Sequence, residues 1–151
     1  MLILASASPR RYEILKKLGI DFVVKKPTVS EFGEPDLYYS QTPFINAVLK
    51  ANDVSDRFPS AFILAADTVV ECEGRALGKP ANMDEARKML ILLSGKAHDV
   101  ITGVCIMQKD QNIKCVFGDT TRVKFRIINY ADIEKYFSLV NPLDKAGAYA
   151  I

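Results

Sequence analysis

Twice near its start the chain sets a hydroxyl side chain directly before a proline, at Ser8-Pro9 and at Thr42-Pro43. Proline suits the first position of a helix, since its fixed φ is already helical and its missing N–H would have had no partner there. A serine or threonine oxygen just before it can accept from the next free amides. Each pair therefore marks a helix start, and the residues around them dictate an alternation. Residues 2–5 are apolar and read as a strand entering the tight loop Ser6-Ala7-Ser8. The first helix then carries Ile14, Leu15 and Leu18 on one face and stops at Gly19, and Phe22-Val23-Val24 reads as a second short strand. Residues 26–41, with Pro27, Gly33 and Pro35, read as loop. The second helix runs to about residue 56 with Phe44, Ile45, Val48 and Leu49 as its apolar stripe and Lys50 off it. Residues 62–66 form a continuous apolar run, expected for a strand buried on both faces, which delivers Asp67-Thr68 at its C-terminal end.

Past Thr68 the pattern changes. Val69-Val70-Glu71 and Arg75-Ala76-Leu77 flank Glu73-Gly74 as a hairpin, and Gly78-Lys79-Pro80 follows as a constrained loop. Asn82 with Glu85 opens a helix through Leu93 that Gly95 ends. Residues 99–107 and 113–127, rich in β-branched and aromatic side chains, read as an antiparallel pair turning at residues 109–112. Asn129 caps a last helix, Ala131 to Leu139, which Asn141-Pro142 breaks. Strands and helices alternate first and strands pair antiparallel afterwards, so the expected class is α/β with a mixed sheet.

A length of 151 residues, with 49% hydrophobic and 25% charged, suits one compact domain. Twenty basic and 18 acidic residues are spread along the chain for a net +2, which argues against nucleic acid or a membrane surface as partner. Cys72, Cys105 and Cys115 lack the close spacing of a zinc or redox motif and read as reduced, mostly buried thiols. The N-terminus lacks a basic region ahead of its short apolar run, and no segment approaches the ~18 apolar residues of a membrane span. A cytoplasmic location is the expectation.

Three groups of residues could carry chemistry. At Ser6-Ala7-Ser8-Pro9-Arg10-Arg11, a helix mouth offers unpaired N–H groups, small hydroxyls and arginine forks that match phosphate oxygens; a capped surface helix with two solvated arginines satisfies the same spacing. Asp67, at a strand's exit, and Glu31, in the first long loop, are two carboxylates that could hold Mg²⁺ and activate water; taken singly, Asp67 points to function ahead of a turn-forming Asp, whereas Glu31 reads as a solvated loop acid. Lys50 and Lys79 are solvated lysines individually and phosphate-binding cations as a set. His98 has no nearby cysteine or serine to make a triad and reads as structural.

In these segments the chain resembles the Maf family of nucleotide pyrophosphatases, also called septum formation inhibitors. The matching stretches are 4–11, Glu31, 47–51, 66–70, 77–80, 93–103 and 144–149, in family order. The resemblance implies metal-dependent hydrolysis of the α–β bond of a nucleoside triphosphate. Asp67 would be proton acceptor, Glu31 would join it at Mg²⁺ or Mn²⁺, and Ser8, Arg11, Lys50 and Lys79 would bind the phosphates. In the branch acting on dTTP and UTP, Arg10 and Thr68 would help choose the base; the branch acting on 7-methyl-GTP tends to carry an aromatic residue where Arg10 stands. The implied fold is elongated and two-lobed, similar to that of inosine triphosphate pyrophosphatases, with substrate in a cleft between lobes and often a homodimer. Residues 1–151 would form a single domain of this kind, C-terminally short relative to family members, which continue with a glutamine and a further segment. A rival expectation is a non-enzymatic nucleotide-binding or interaction protein tied to septum formation.

Overall fold

The computed structural model describes residues 1–32 and 40–150; Gly33, Pro35 and Ile151, on which some sequence expectations fall, lie outside the described residues. The elements follow the expected order: β1 (Leu2–Ala5), α1 (Pro9–Lys17), β2 (Val23–Val24), α2 (Thr42–Arg57), β3 (Phe62–Cys72), β4 (Arg75–Leu77), α3 (Met83–Leu93), β5 (Ala97–Gln108), β6 (Ile113–Lys124) and α4 (Tyr130–Leu139), then a 3₁₀ turn at Ala146–Ala148. Among the described residues the strands form one six-stranded mixed sheet in the order β2-β1-β3-β5-β6, with β4 paired to β3. β1 runs parallel to both neighbours, Ile3 opposite Val23 and Ile63, because α1 and α2 are crossover connections. β4 returns antiparallel on β3 with Val70 opposite Leu77, and both turn residues between them, Glu73 and Gly74, have positive φ (53° and 78°) as a tight hairpin requires.

The chain forms two compact units, and β3, β5 and β6 contribute residues to both. The first holds the chain up to residue 32, Gln41–Asp67 and Thr102–Asp119; β1, α2, β3 and β5 enclose Ile3, Ala47, Ala51, Val54, Ile63 and Cys105 there. The second holds Thr68–Ile101 and residues 120–150, with Val70, Leu90, Leu93, Ile133 and Tyr149 at its core. Its helices start as their sequences dictate. Asn82 Oδ1 accepts the Glu85 amide at 2.9 Å, and Asn129 with Asp132 makes a full capping box before α4.

Four local expectations are corrected. In α1 only Leu15 is buried, whereas Ile14 and Leu18 are 60% and 65% exposed: the helix meets the core through a single apolar side chain. Ser8 precedes α1 in extended conformation without a side-chain capping bond, and Thr42 is the first residue of α2 after Gln41, not its cap. The buried face of α2 is Pro43, Asn46, Ala47, Lys50, Ala51 and Val54, not the larger apolar residues. Small side chains let the helix lie close to the strands, so size overrode hydrophobicity in choosing the face. Finally, β3 is an 11-residue strand with Asp67-Thr68 in its middle, since the expected short strand and the first arm of the hairpin are one continuous element.

Candidate active site

The end of β1, the start of α1, the face of α2 and the middle of β3 bring charged side chains together within the first unit. Ser6 is buried just after β1, and its Oγ accepts the amide of Ser8 at 3.1 Å and Arg11 Nη1 at 3.4 Å, which folds the loop tightly onto the helix start. Arg11 Nη1 also donates to the carbonyl of Ala66 at 2.8 Å, tying α1 to the residue before Asp67. Burial lowers the Arg11 pKa; the charges of Asp67 and Glu31 act in the opposite direction, while that of Arg10 adds to the lowering.

Lys50 sits at the centre. Its Nζ lies 2.6 Å from Asp67 Oδ1 and 2.7 Å from Glu31 Oε1, and the residue is 8% exposed although α2 is a surface helix. The other oxygen of Asp67, Oδ2, accepts from Asn46 Nδ2 at 3.1 Å. The same Asn46 amide accepts the N–H of Phe32 at 2.6 Å and donates to its carbonyl at 3.2 Å, and so holds the chain next to Glu31. Asn46 and Lys50 are four residues apart and share one helix face. Two cations and two carboxylates therefore balance one another here. Such an arrangement brings acids and cations together where water is partly excluded, which is what anhydride hydrolysis by an activated water requires.

Of the sequence-predicted residues, the first unit brings Arg11, Glu31, Lys50 and Asp67 together and sets Ser8, half-buried, beside Ser6. Arg10 is exposed on α1. Thr68, half-buried in β3, and Lys79, exposed in the loop after β4, belong to the second unit. The structural reading of His98 agrees with its surroundings. It is 1% exposed, its Nε2 lies 2.6 Å from the Tyr149 hydroxyl, and its ring stands edge-on to Phe125 and Tyr149. Cys72 and Cys105 are buried, Cys115 is exposed, and all three are free thiols. Asn46 does not stand out in the sequence, because hydrophobicity alone places the apolar stripe of α2 on Phe44, Ile45, Val48 and Leu49. The signal was present in the small-residue stripe Ala47-Ala51-Val54, which places Asn46 and Lys50 inward together.

Among the described residues no group of three or more His, Cys, Asp or Glu converges, so a metal here would be held by the carboxylate pair. The pair fits a hard divalent cation: Glu31 Oε1 and Asp67 Oδ1 already address a single cation, the Lys50 ammonium.

Comparison with known proteins gives this geometry a context. The Maf-like protein family matches residues 1–151. The dTTP/UTP pyrophosphatase of Acholeplasma laidlawii is 44% identical over all of this chain and 79% of its own length. The dTTP/UTP pyrophosphatases of Halalkalibacterium halodurans and Pyrococcus furiosus are 43% and 44% identical over 99% of this chain and 78% and 77% of theirs. The Staphylococcus aureus Ham1 protein shares the fold, with a TM-score of 0.59 at 17% identity over 82% of this chain and 70% of that one.

Proposed function

The chain belongs to the Maf family, and from that premise we propose that it hydrolyses the α–β phosphate bond of dTTP and UTP, or of modified pyrimidine nucleotides, to the monophosphate and pyrophosphate. The convergence of Asp67, Glu31, Lys50 and Arg11 in one unit carries the reading from the side of the structure. Asp67 is the proton acceptor. As the oxygen of water bonds to phosphorus, its proton passes to the carboxylate, the bridging P–O bond breaks, and the electron pair leaves with pyrophosphate. Glu31 and Asp67 hold Mg²⁺ or Mn²⁺, which when bound supplies charge neutralisation on the leaving group and a more acidic water. Arg11 and Lys50, with Ser8 and Lys79, bind phosphate oxygens, and Arg10 and Thr68 discriminate the base. Tight packing around Lys50 supports this division of roles, because a lysine only 8% exposed is held for a partner rather than for solvent.

The enzyme acts in the cytoplasm on free nucleotides, with neither nucleic acid nor membrane as partner. The near-balance of 20 basic and 18 acidic residues supports the exclusion of nucleic acid and of a membrane surface as partners; among the described residues no helix is long and apolar enough to cross a membrane. It acts as a homodimer; β6, whose 12 residues are almost all exposed at the end of the strand order, supports association. A single monomeric species in sedimentation at micromolar concentration would remove the dimer. The function itself is tested by a nucleotide panel: dTTP and UTP are expected to be consumed well ahead of ATP and GTP, and equal use of all four would refute the pyrimidine assignment.

A further inference from the structure

Asn46 is 3% exposed and uncharged in a cluster of charges, and its side-chain bonds go to two places at once. Its amide pairs with the peptide of Phe32 in both directions, Oδ1 accepting at 2.6 Å and Nδ2 donating at 3.2 Å, and Nδ2 also donates to Asp67 Oδ2 at 3.1 Å. One turn further along α2, Lys50 takes Asp67 Oδ1 and Glu31 Oε1. Each carboxylate is thus tied twice to the same helix face: Asp67 through both of its oxygens, Glu31 through its side chain by Lys50 and through the next residue by Asn46. The ties differ in kind. Lys50 brings a positive charge to the oxygens that a metal would use, so its hold weakens when one arrives. Asn46 is neutral, grips the opposite oxygen and the backbone, and does not compete.

We propose that Asn46 is a positioning residue for the hydrolytic reaction, which fixes the rotation of the Asp67 carboxylate and the placement of Glu31 so that Oδ1 and Oε1 stay aimed at one point when Lys50 lets go. A carboxylate has a broad, two-fold torsion about its terminal bond and needs such a second anchor to present one oxygen consistently. The inference rests on the assignment of Asp67 and Glu31 as the water-activating, metal-holding pair. Groups that orient metal-bound side chains typically contribute about 10–100-fold in metal affinity or activity.

The test compares wild type with Asn46→Leu, which fills the volume without hydrogen bonds, and with Asn46→Ala should the first not fold. Folding is checked by circular dichroism, steady-state kinetics are measured with dTTP, and Mn²⁺ affinity is read by electron paramagnetic resonance without nucleotide. The expected result is a folded variant whose kcat falls about 10–100-fold, with a smaller change in KM and a weaker affinity for Mn²⁺. An unchanged kcat and unchanged Mn²⁺ affinity in a folded variant overturn the proposal. If wild type binds Mn²⁺ but releases no pyrophosphate, the functional reading fails and the role in hydrolysis with it, and the Mn²⁺ comparison decides only whether Asn46 positions Asp67 and Glu31 for a metal. If wild type neither binds Mn²⁺ nor turns over, both fall.

Discussion

Lys50 stands where its charge matters most, within 2.7 Å of Glu31 Oε1 and 2.6 Å of Asp67 Oδ1. Removing its ammonium leaves two carboxylates facing each other in a partly dry site, a repulsion that destabilises the folded chain until another cation replaces it. Lys50→Met is therefore expected to melt at a lower temperature than wild type in chelator and to gain more from saturating Mn²⁺, because a ligand that binds only the folded state stabilises it by mass action. Differential scanning calorimetry with and without Mn²⁺ checks this; a metal-induced rise no larger than that of wild type would contradict it. At this scale the charged members of the site were legible in the sequence, since Arg11, Lys50, Asp67 and Glu31 can be picked out by chemistry and family likeness. Asn46 was not. The small-residue stripe of α2 turns it inward, but its role comes from two hydrogen bonds to Phe32 and one to an acid 21 positions away, and no local pattern encodes such pairings.

The elements present these residues because α2 lies close to the strands. At Gly103 in β5 an added Cβ would stand 2.6 Å from the backbone of Pro43 and Phe44, so the first turn of α2 rests directly on that glycine. Gly103→Ala should push the helix start outward at about 1–3 kcal/mol of stability and lower activity by shifting Asn46 and Lys50; urea titration with parallel kinetics measures both. Undiminished stability would mean that the helix start gives way freely. Element order and type were largely readable, from Pro9 at the start of α1 to the Asn82 and Asn129 caps, because those signals are local. The faces were not. Hydrophobicity alone selected Phe44, Ile45, Val48 and Leu49 on α2, whereas close packing required the alanines, and the strand around Asp67 read as two because its polar middle imitates an exit.

For the whole molecule, both stability and function have pH or chemical signatures. Burial pushes the His98 pKa below its ordinary value, against the smaller raising effects of the nearby Lys96 backbone and the Asp99 charge, with Arg122 lowering it slightly. The unfolded chain then binds a proton more readily than the folded one, so His98 favours folding fully above about pH 6.5 and progressively less as pH falls toward its folded pKa. Burial pushes its partner Tyr149 up to about 12, so that hydroxyl stays protonated throughout this range. Urea midpoints should therefore drop more steeply below pH 6.5 in wild type than in His98→Gln; parallel curves would show that His98 does not govern the fall. The fold class, a mixed α/β sheet shared with the Staphylococcus aureus Ham1 protein, was readable from the alternation of strands and capped helices. Strand order was not, because β1 lies between β2 and β3 through pairings that no adjacent residues announce. The bond that is cut is read by product analysis of dTTP hydrolysis with Mg²⁺, separating pyrophosphate from orthophosphate. Wild type should yield thymidine monophosphate and pyrophosphate in equal amounts, and folded Asp67→Asn should be slower by about 10²–10⁴-fold. Orthophosphate with the diphosphate, or turnover undiminished in Asp67→Asn, would contradict the account.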